Sequence, residues 1–292
     1  MSHPVVRHPW GLLAVLSGAS VVGLSAIFVK WAVAGGATIF TVGFYRMLFG
    51  LPGVLLLARG GAGRDGWGDP IGRRWAIAAG LAFSADLALW HEAMRKTTAA
   101  NATLLVGLSP VWVALMAAAI WKRRYGLRGW AGQAVGLAGA LVLALARGAR
   151  SGDGHGETIA IGASFCYAAF TLAISRARRT LAAPQALLWV ILTCLACFAV
   201  IIAAGGDPLH GYTPRAWVSL VGLGLVVQLL GWWLNSWGLG HVDPATGAIA
   251  LQMQQVATVF LSAWLLAEPL RPLGLLGGGL ILAGILMVAT AG

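Results

Sequence analysis

Two ionisable side chains sit where an apolar chain can least accommodate them. Arg46 and Asp86 fall inside hydrophobic runs, each about eight residues from the run's end on the same side. At 1.5 Å per helical residue that is about 12 Å deep. A charge at bilayer depth costs about 3 kcal/mol on insertion scales and normally faces a protein interior or a wet cavity. If the two runs are antiparallel neighbours, the charges are level, and two readings stand side by side. They form an intramembrane charge pair that fixes helix packing, or Asp86 serves as a proton or substrate-ammonium site. His91 and Glu92 lie one turn below the surface, where they suit either a solvated rim or a cavity mouth.

Neutral polar and aromatic residues gather at similar depth. Trp90, Asn101, Tyr167, Gln228, Trp232, Gln252 and Gln255 are the candidate lining of a small-molecule pocket, an apolar wall with a few fixed polar groups. Gln252 and Gln255 are three apart and share one helix face, with Gln254 turned away. Trp10, Trp31, Trp67, Trp75, Trp130 and Trp217 fall near run ends, where interfacial anchoring explains them. Pro110 breaks the hydrogen-bond ladder near the middle of its run and predicts a kink there.

The elements that carry these residues follow from composition. Hydrophobic residues make up 59% of the chain and charged ones 10%, at a mean hydropathy of +0.82. A soluble domain carries about 25% charged residues, so the chain reads as an all-α polytopic membrane protein. Ten spans are expected, near 11–33, 38–58, 75–94, 98–120, 127–146, 157–176, 184–204, 215–237, 244–267 and 272–291. The N-terminal apolar run is too long for a signal peptide and is counted as the first span. The net charge of +11 resides mostly in short loops, which argues for membrane orientation rather than nucleic-acid binding. Lys and Arg divide 12 to 7 between the two sides, with Arg46 inside a span, and the richer side is expected to be cytoplasmic together with both termini.

A fixed spacing then divides the chain. Ala100, Val111, Gly129, Gly132 and Gly139 recur 145 residues later as Ala245, Val256, Gly274, Gly277 and Gly284. Gly18-Ala19-Ser20 matches Gly162-Ala163-Ser164. Trp75, Gly80 and Trp90 match Trp217, Gly222 and Trp232, which makes Gln228 the mate of Asp86. The chain reads as two five-helix repeats, 1–150 and 151–292. Five spans per repeat is odd, so the second repeat is inverted, an arrangement typical of secondary transporters with a site between the halves. Spans five and ten, dominated by glycine, read as scaffold.

Other classes find little support. No H-E-x-x-H, G-x-S-x-G or paired deep aspartates suggest an enzyme, and the inverted duplication disfavours a channel. No cofactor or metal is expected. Cys166, Cys194 and Cys197 lie within spans and read as small packing residues, with no disulfide expected.

The stretch Ala99-Ala100-Asn101-Ala102…Leu108-Ser109-Pro110, the basic turn, and Gly132…Gly136…Gly139 resemble the EamA-type repeat of the drug/metabolite transporter superfamily. Leu266-Ala267-Glu268-Pro269-Leu270…Gly277…Gly284 resembles the close of the same repeat, and Phe44-x-Arg46 matches an arginine that is common in the second span of this family. Arg123 in place of the acidic turn residue, and Gln255 in place of the kink proline, depart from the pattern. In size and aromatic content the chain is most similar to bacterial amino-acid exporters of the YddG type. The resemblance implies an inner-membrane carrier of small metabolites, amino acids first, working by alternating access down a gradient or with protons. A drug or sugar/nucleotide-type carrier of the same fold is the alternative. Both halves of the site come from one chain, so no oligomer is required; substrate and lipid are the expected partners.

Overall fold

The computed structural model describes residues 9–60, 69–96, 105–122, 126–146, 155–266 and 272–290. Apolar composition and the absence of competing hydrogen-bond partners in lipid leave the backbone one economical solution, the helix. The described residues form ten helical stretches and no strand. Six stretches are long and apolar enough to cross a membrane, and Ser109–Ile120 and Pro272–Val288 are shorter apolar helices. Large apolar side chains such as Leu56, Val218 and Trp264 face outward, as a lipid-solvated surface requires.

Four of the ten stretches are not continuous α-helix. The first span is split into Pro9–Val22 and Ser25–Ala34 by a turn at Gly23-Leu24. The fourth turns at Gly107-Leu108 before the helix Ser109–Trp121, and the ninth turns at Leu251-Gln252 between Pro244–Ala250 and Met253–Leu266. The eighth runs as Pro214–Gly222, a π-helical segment Leu223–Gly231, and Trp232–Leu239. Pro110 therefore does not kink a continuous helix as expected. It sits at the start of the helix after the break, where a missing N–H costs nothing.

The packing obeys the duplication. The third span (Pro70–Lys96) lies along the sixth (His155–Ala177), and the first lies along the eighth, their repeat-mates. The second (Ile39–Gly60) contacts the eighth as the seventh (Ala183–Gly205) contacts the third. The fourth contacts the sixth as the ninth contacts the first. The fifth (Leu127–Ala146) and tenth (Pro272–Ala289) pack on each other across the same pseudo-twofold axis.

Glycine makes that last pairing. A Cβ on Gly139 would stand 2.7 Å from the Gly277 carbonyl oxygen, and one on Gly284 would stand 2.7 Å from the Gly132 carbonyl oxygen. These are the same contact made twice, with backbone against backbone. Lipid offers little hydrophobic drive between helices, so close van der Waals approach of small residues carries the association.

Candidate functional site

The break in the ninth span supplies the first polar constellation. Gln252 and Gly107 are repeat-mates, 145 residues apart, and they meet: Gln252 Nε2 donates to the Gly107 carbonyl oxygen at 3.1 Å. Gln255 Nε2 donates to Gln252 Oε1 at 2.9 Å. Thr258 Oγ1 lies 3.0 Å from the Gly23 carbonyl oxygen, at the break in the first span. Carbonyls freed where helices are interrupted must find donors inside the protein. The Gln252 amide, braced by Gln255, is thus committed to the break of the fourth span, and the Thr258 hydroxyl sits at the break of the first.

The second constellation surrounds Arg46. Its guanidinium is buried, donating from Nε to Gln228 Oε1 at 2.9 Å and from Nη1 to Ser25 Oγ at 3.4 Å. Nη2 has no hydrogen-bond partner among the described residues, and neither has Gln228 Nε2. The expected ion pair between Arg46 and Asp86 is not formed; the arginine is bonded instead to Asp86's repeat-mate. Equal depth places two residues at one level but does not turn their side chains toward each other. Asp86 is buried with no hydrogen bond or ion pair to another described residue. Tyr167 packs on Phe170 with ring centroids 5.9 Å apart.

Beside Gln228, Trp232 meets Phe83 at 5.1 Å and Phe170 at 5.2 Å between ring centroids. These three rings, with Gln228, Ser236 and apolar neighbours, line a cavity of about 10 Å³, room for a single water molecule. Trp232 Nε1 and Ser236 Oγ have no hydrogen-bond partner among the described residues. The described residues around Trp232 thus border a small cavity at the centre. Phe83 and Phe170 were missed in reading the sequence. Each stands three residues from a singled-out polar residue, Asp86 and Tyr167, so helical spacing could have found them.

The remaining candidates are dispersed. Trp90 packs with Leu105 and Ile159 around Ala93 and Ala160, away from its mate Trp232 in the main core. Glu92 sits 3.6 Å from Lys96 in an i, i+4 pair at the end of the third span. His91 lies in the same helix; its side chain, and Asn101 altogether, fall outside the described residues.

One end of the centre is fastened by Arg178, just beyond the sixth span. Its Nε donates to the Ser236 carbonyl oxygen at 2.9 Å, its Nη1 donates to the Leu181 carbonyl, and its side chain packs on Gly240. Burial pushes its pKa down to about 10, so it remains cationic at neutral pH. At the opposite end, the Thr213 amide donates to the Gly35 carbonyl at 3.0 Å, and Tyr45 donates to the Leu209 carbonyl at 2.6 Å.

Comparison with known proteins agrees with this architecture. The model of the EamA-like transporter family matches the chain twice, over residues 9–145 and 154–290. The matches begin 145 residues apart, the spacing that relates Gly107 to Gln252. Over 205 residues the chain is 27% identical to the uncharacterized transporter YwfM of Bacillus subtilis (strain 168), covering 70% of this chain and 69% of that one. A crystal structure of a protein 19% identical in sequence superposes with a TM-score of 0.80, covering 98% of this chain and all of the other, which supports the fold.

Proposed function

We propose, for a chain that belongs to the EamA-like transporter family and is a multi-pass membrane transporter, that it exports amino acids across the inner membrane by alternating access between its two halves. The observation that carries this reading is the pair of helix breaks at 107–108 and 251–252, which meet at the pseudo-twofold axis through one side-chain bond. Interrupted helices at the midplane are where carriers of inverted-repeat design bind and pivot. A break held by one amide gives each half a joint about which to rock, and Arg178 provides a polar latch at one end of the centre.

The substrate is expected to contact Arg46, Asp86, Tyr167, Gln228 and Trp232. In this arrangement Gln252 and Gln255 serve the joint, while Trp90 and Glu92 mark the path toward one face. Both termini are placed in the cytoplasm. A fluorescent reporter that matures only in the cytoplasm, fused after Gly292, is expected to glow; a dark fusion reverses the orientation.

The direct test is counterflow. Proteoliposomes containing only this protein and preloaded with unlabelled amino acids are expected to accumulate the labelled amino acid saturably. Absence of accumulation across the full set of proteinogenic amino acids, with protein shown to be folded, overturns the cargo assignment.

A further inference from the structure

The Arg46 guanidinium poses a question that the fold alone does not answer. It is 7% exposed, and no carboxylate among the described residues pairs with it. Removing a cation from water without a counter-charge is strongly unfavourable. Its Nε and Nη2 form the edge that grips a carboxylate side-on. In this structure Nε is engaged by Gln228 Oε1, and Nη2 beside it is open.

Of the open groups that border the central cavity, the Ser236 hydroxyl can donate or accept, and the other two can only donate. Gln228 Nε2 and Trp232 Nε1 are both donors, both buried and both without a partner among the described residues. Gln228 and Trp232 also border the central cavity. Arg and Trp side chains have no acceptor, Gln228 has already committed its oxygen, and the Ser236 hydroxyl can turn to donate, so the set suits a group rich in acceptors. Asp86 is its complement: a buried, acceptor-only side chain when ionised, with no partner among the described residues. Asp86 stands one helical turn along the third span from Phe83, which lines the same cavity. Had Arg46 and Asp86 paired, each would have neutralised the other and nothing would remain to recognise.

We propose that the centre is a dipolar subsite in which Arg46, Gln228 and Trp232 take the carboxylate of the substrate and Asp86 takes its ammonium group. This rests on the amino-acid reading above and sharpens it: the ligand is held by its zwitterionic backbone. Its side chain lies against Phe83, Phe170 and Tyr167, which move aside to admit it. Selectivity then falls on the common backbone rather than on the side chain, and broad acceptance of amino acids follows.

Three probes separate the poles. L-leucine carries both charges, L-leucinamide lacks the carboxylate, and 4-methylpentanoate lacks the ammonium. Binding is read from tryptophan fluorescence of the purified protein, and transport from proteoliposomes. The wild-type chain is expected to bind leucine about tenfold or more tightly than either analogue. Gln228→Glu removes no buried charge and delivers a carboxylate to Arg46; it is expected to abolish the preference for leucine over leucinamide. Asp86→Asn is expected to abolish the preference over 4-methylpentanoate. Trp232→Phe keeps a ring and removes one donor, and is expected to weaken leucine and 4-methylpentanoate while leaving leucinamide unchanged. It serves if either of the other variants fails to fold.

Variants that keep the wild-type order of the three probes overturn the subsite and leave a buried water as the occupant of the cavity. If the wild-type protein transports leucine but shows no preference over the analogues, the subsite falls and the cargo assignment survives. If it neither binds nor moves any amino acid, both fall.

Discussion

The fifth and tenth spans and the Arg46–Asp86–Gln228 centre were built from the same duplicated segment, and they have met opposite fates. In the glycine seam the halves are interchangeable: Gly139 lies on the Gly277 carbonyl as Gly284 lies on the Gly132 carbonyl. At the centre they are not. Asp86 in one half stands where Gln228 stands in the other, and the eighth span is π-helical over Leu223–Gly231 where its mate, the third, is α-helical throughout. The seam also leaves no room for a side chain, whereas the centre leaves donors open. Where only packing is asked of a residue, both copies keep it; at the charged centre, the copies part. π-Segments occur disproportionately at functional sites, and this one carries Gln228.

The comparison is broken most violently at the seam. Gly284→Ala forces a methyl group to within 2.7 Å of backbone atoms on the fifth span, and overpacking of that kind costs about 3 kcal/mol. Gly279, five residues away, has nothing within 4 Å of an added Cβ. Gly279→Ala should melt in detergent at the wild-type temperature or slightly above it, since alanine is the better helix former. Equal losses for the two variants would mean that the seam does not hold the halves together.

A middle-sized effect is expected at the joint. Gln252→Leu strands the Gly107 carbonyl and frees the Gln255 amide, for a loss of about 1–2 kcal/mol. Thr258→Val, which removes a hydroxyl shared between the Gly23 carbonyl and the Gln254 carbonyl of its own helix, should cost no more than about 0.6 kcal/mol. Unchanged melting in both variants would return these side chains to the role of cavity lining. The smallest effect belongs to the rim: Glu92→Gln loses an exposed i, i+4 pair with Lys96 and should shift stability by no more than about 0.5 kcal/mol.

Much of the fold was legible in the chain. Hydropathy and punctuation marked the spans to within a few residues, because length and apolarity are all that lipid demands. The glycine spacing marked the seam. Other features were hidden for identifiable reasons. Pro110 announced an interruption but not its form, and the matching break at Leu251-Gln252 carries Gln255 where the first half has Pro110. Gln252 and Gln255 were recognisable as one polar face, yet a polar face serves a ligand or a broken backbone equally well. Arg46 and Asp86 were expected at one depth, and depth alone does not set the direction of a side chain. Their directions depend on helix rotation, and the guanidinium meets Gln228, on the π-helical segment of the eighth span, instead. Trp90 and Trp232 match in sequence but pack in separate clusters, because a repeat preserves position within a half and not proximity between halves.

The account turns on which residue Arg46 answers to, and a pair of double-mutant cycles measures that directly. Melting of Arg46→Gln, Gln228→Leu and Asp86→Asn, singly and in the two combinations with Arg46→Gln, gives the coupling energies. The structure predicts about 1 kcal/mol of coupling between Arg46 and Gln228, and additivity within about 0.5 kcal/mol for Arg46 and Asp86. Strong coupling to Asp86 with additivity at Gln228 would restore the ion pair, neutralise both charges in place, and contradict a centre poised to bind a zwitterion.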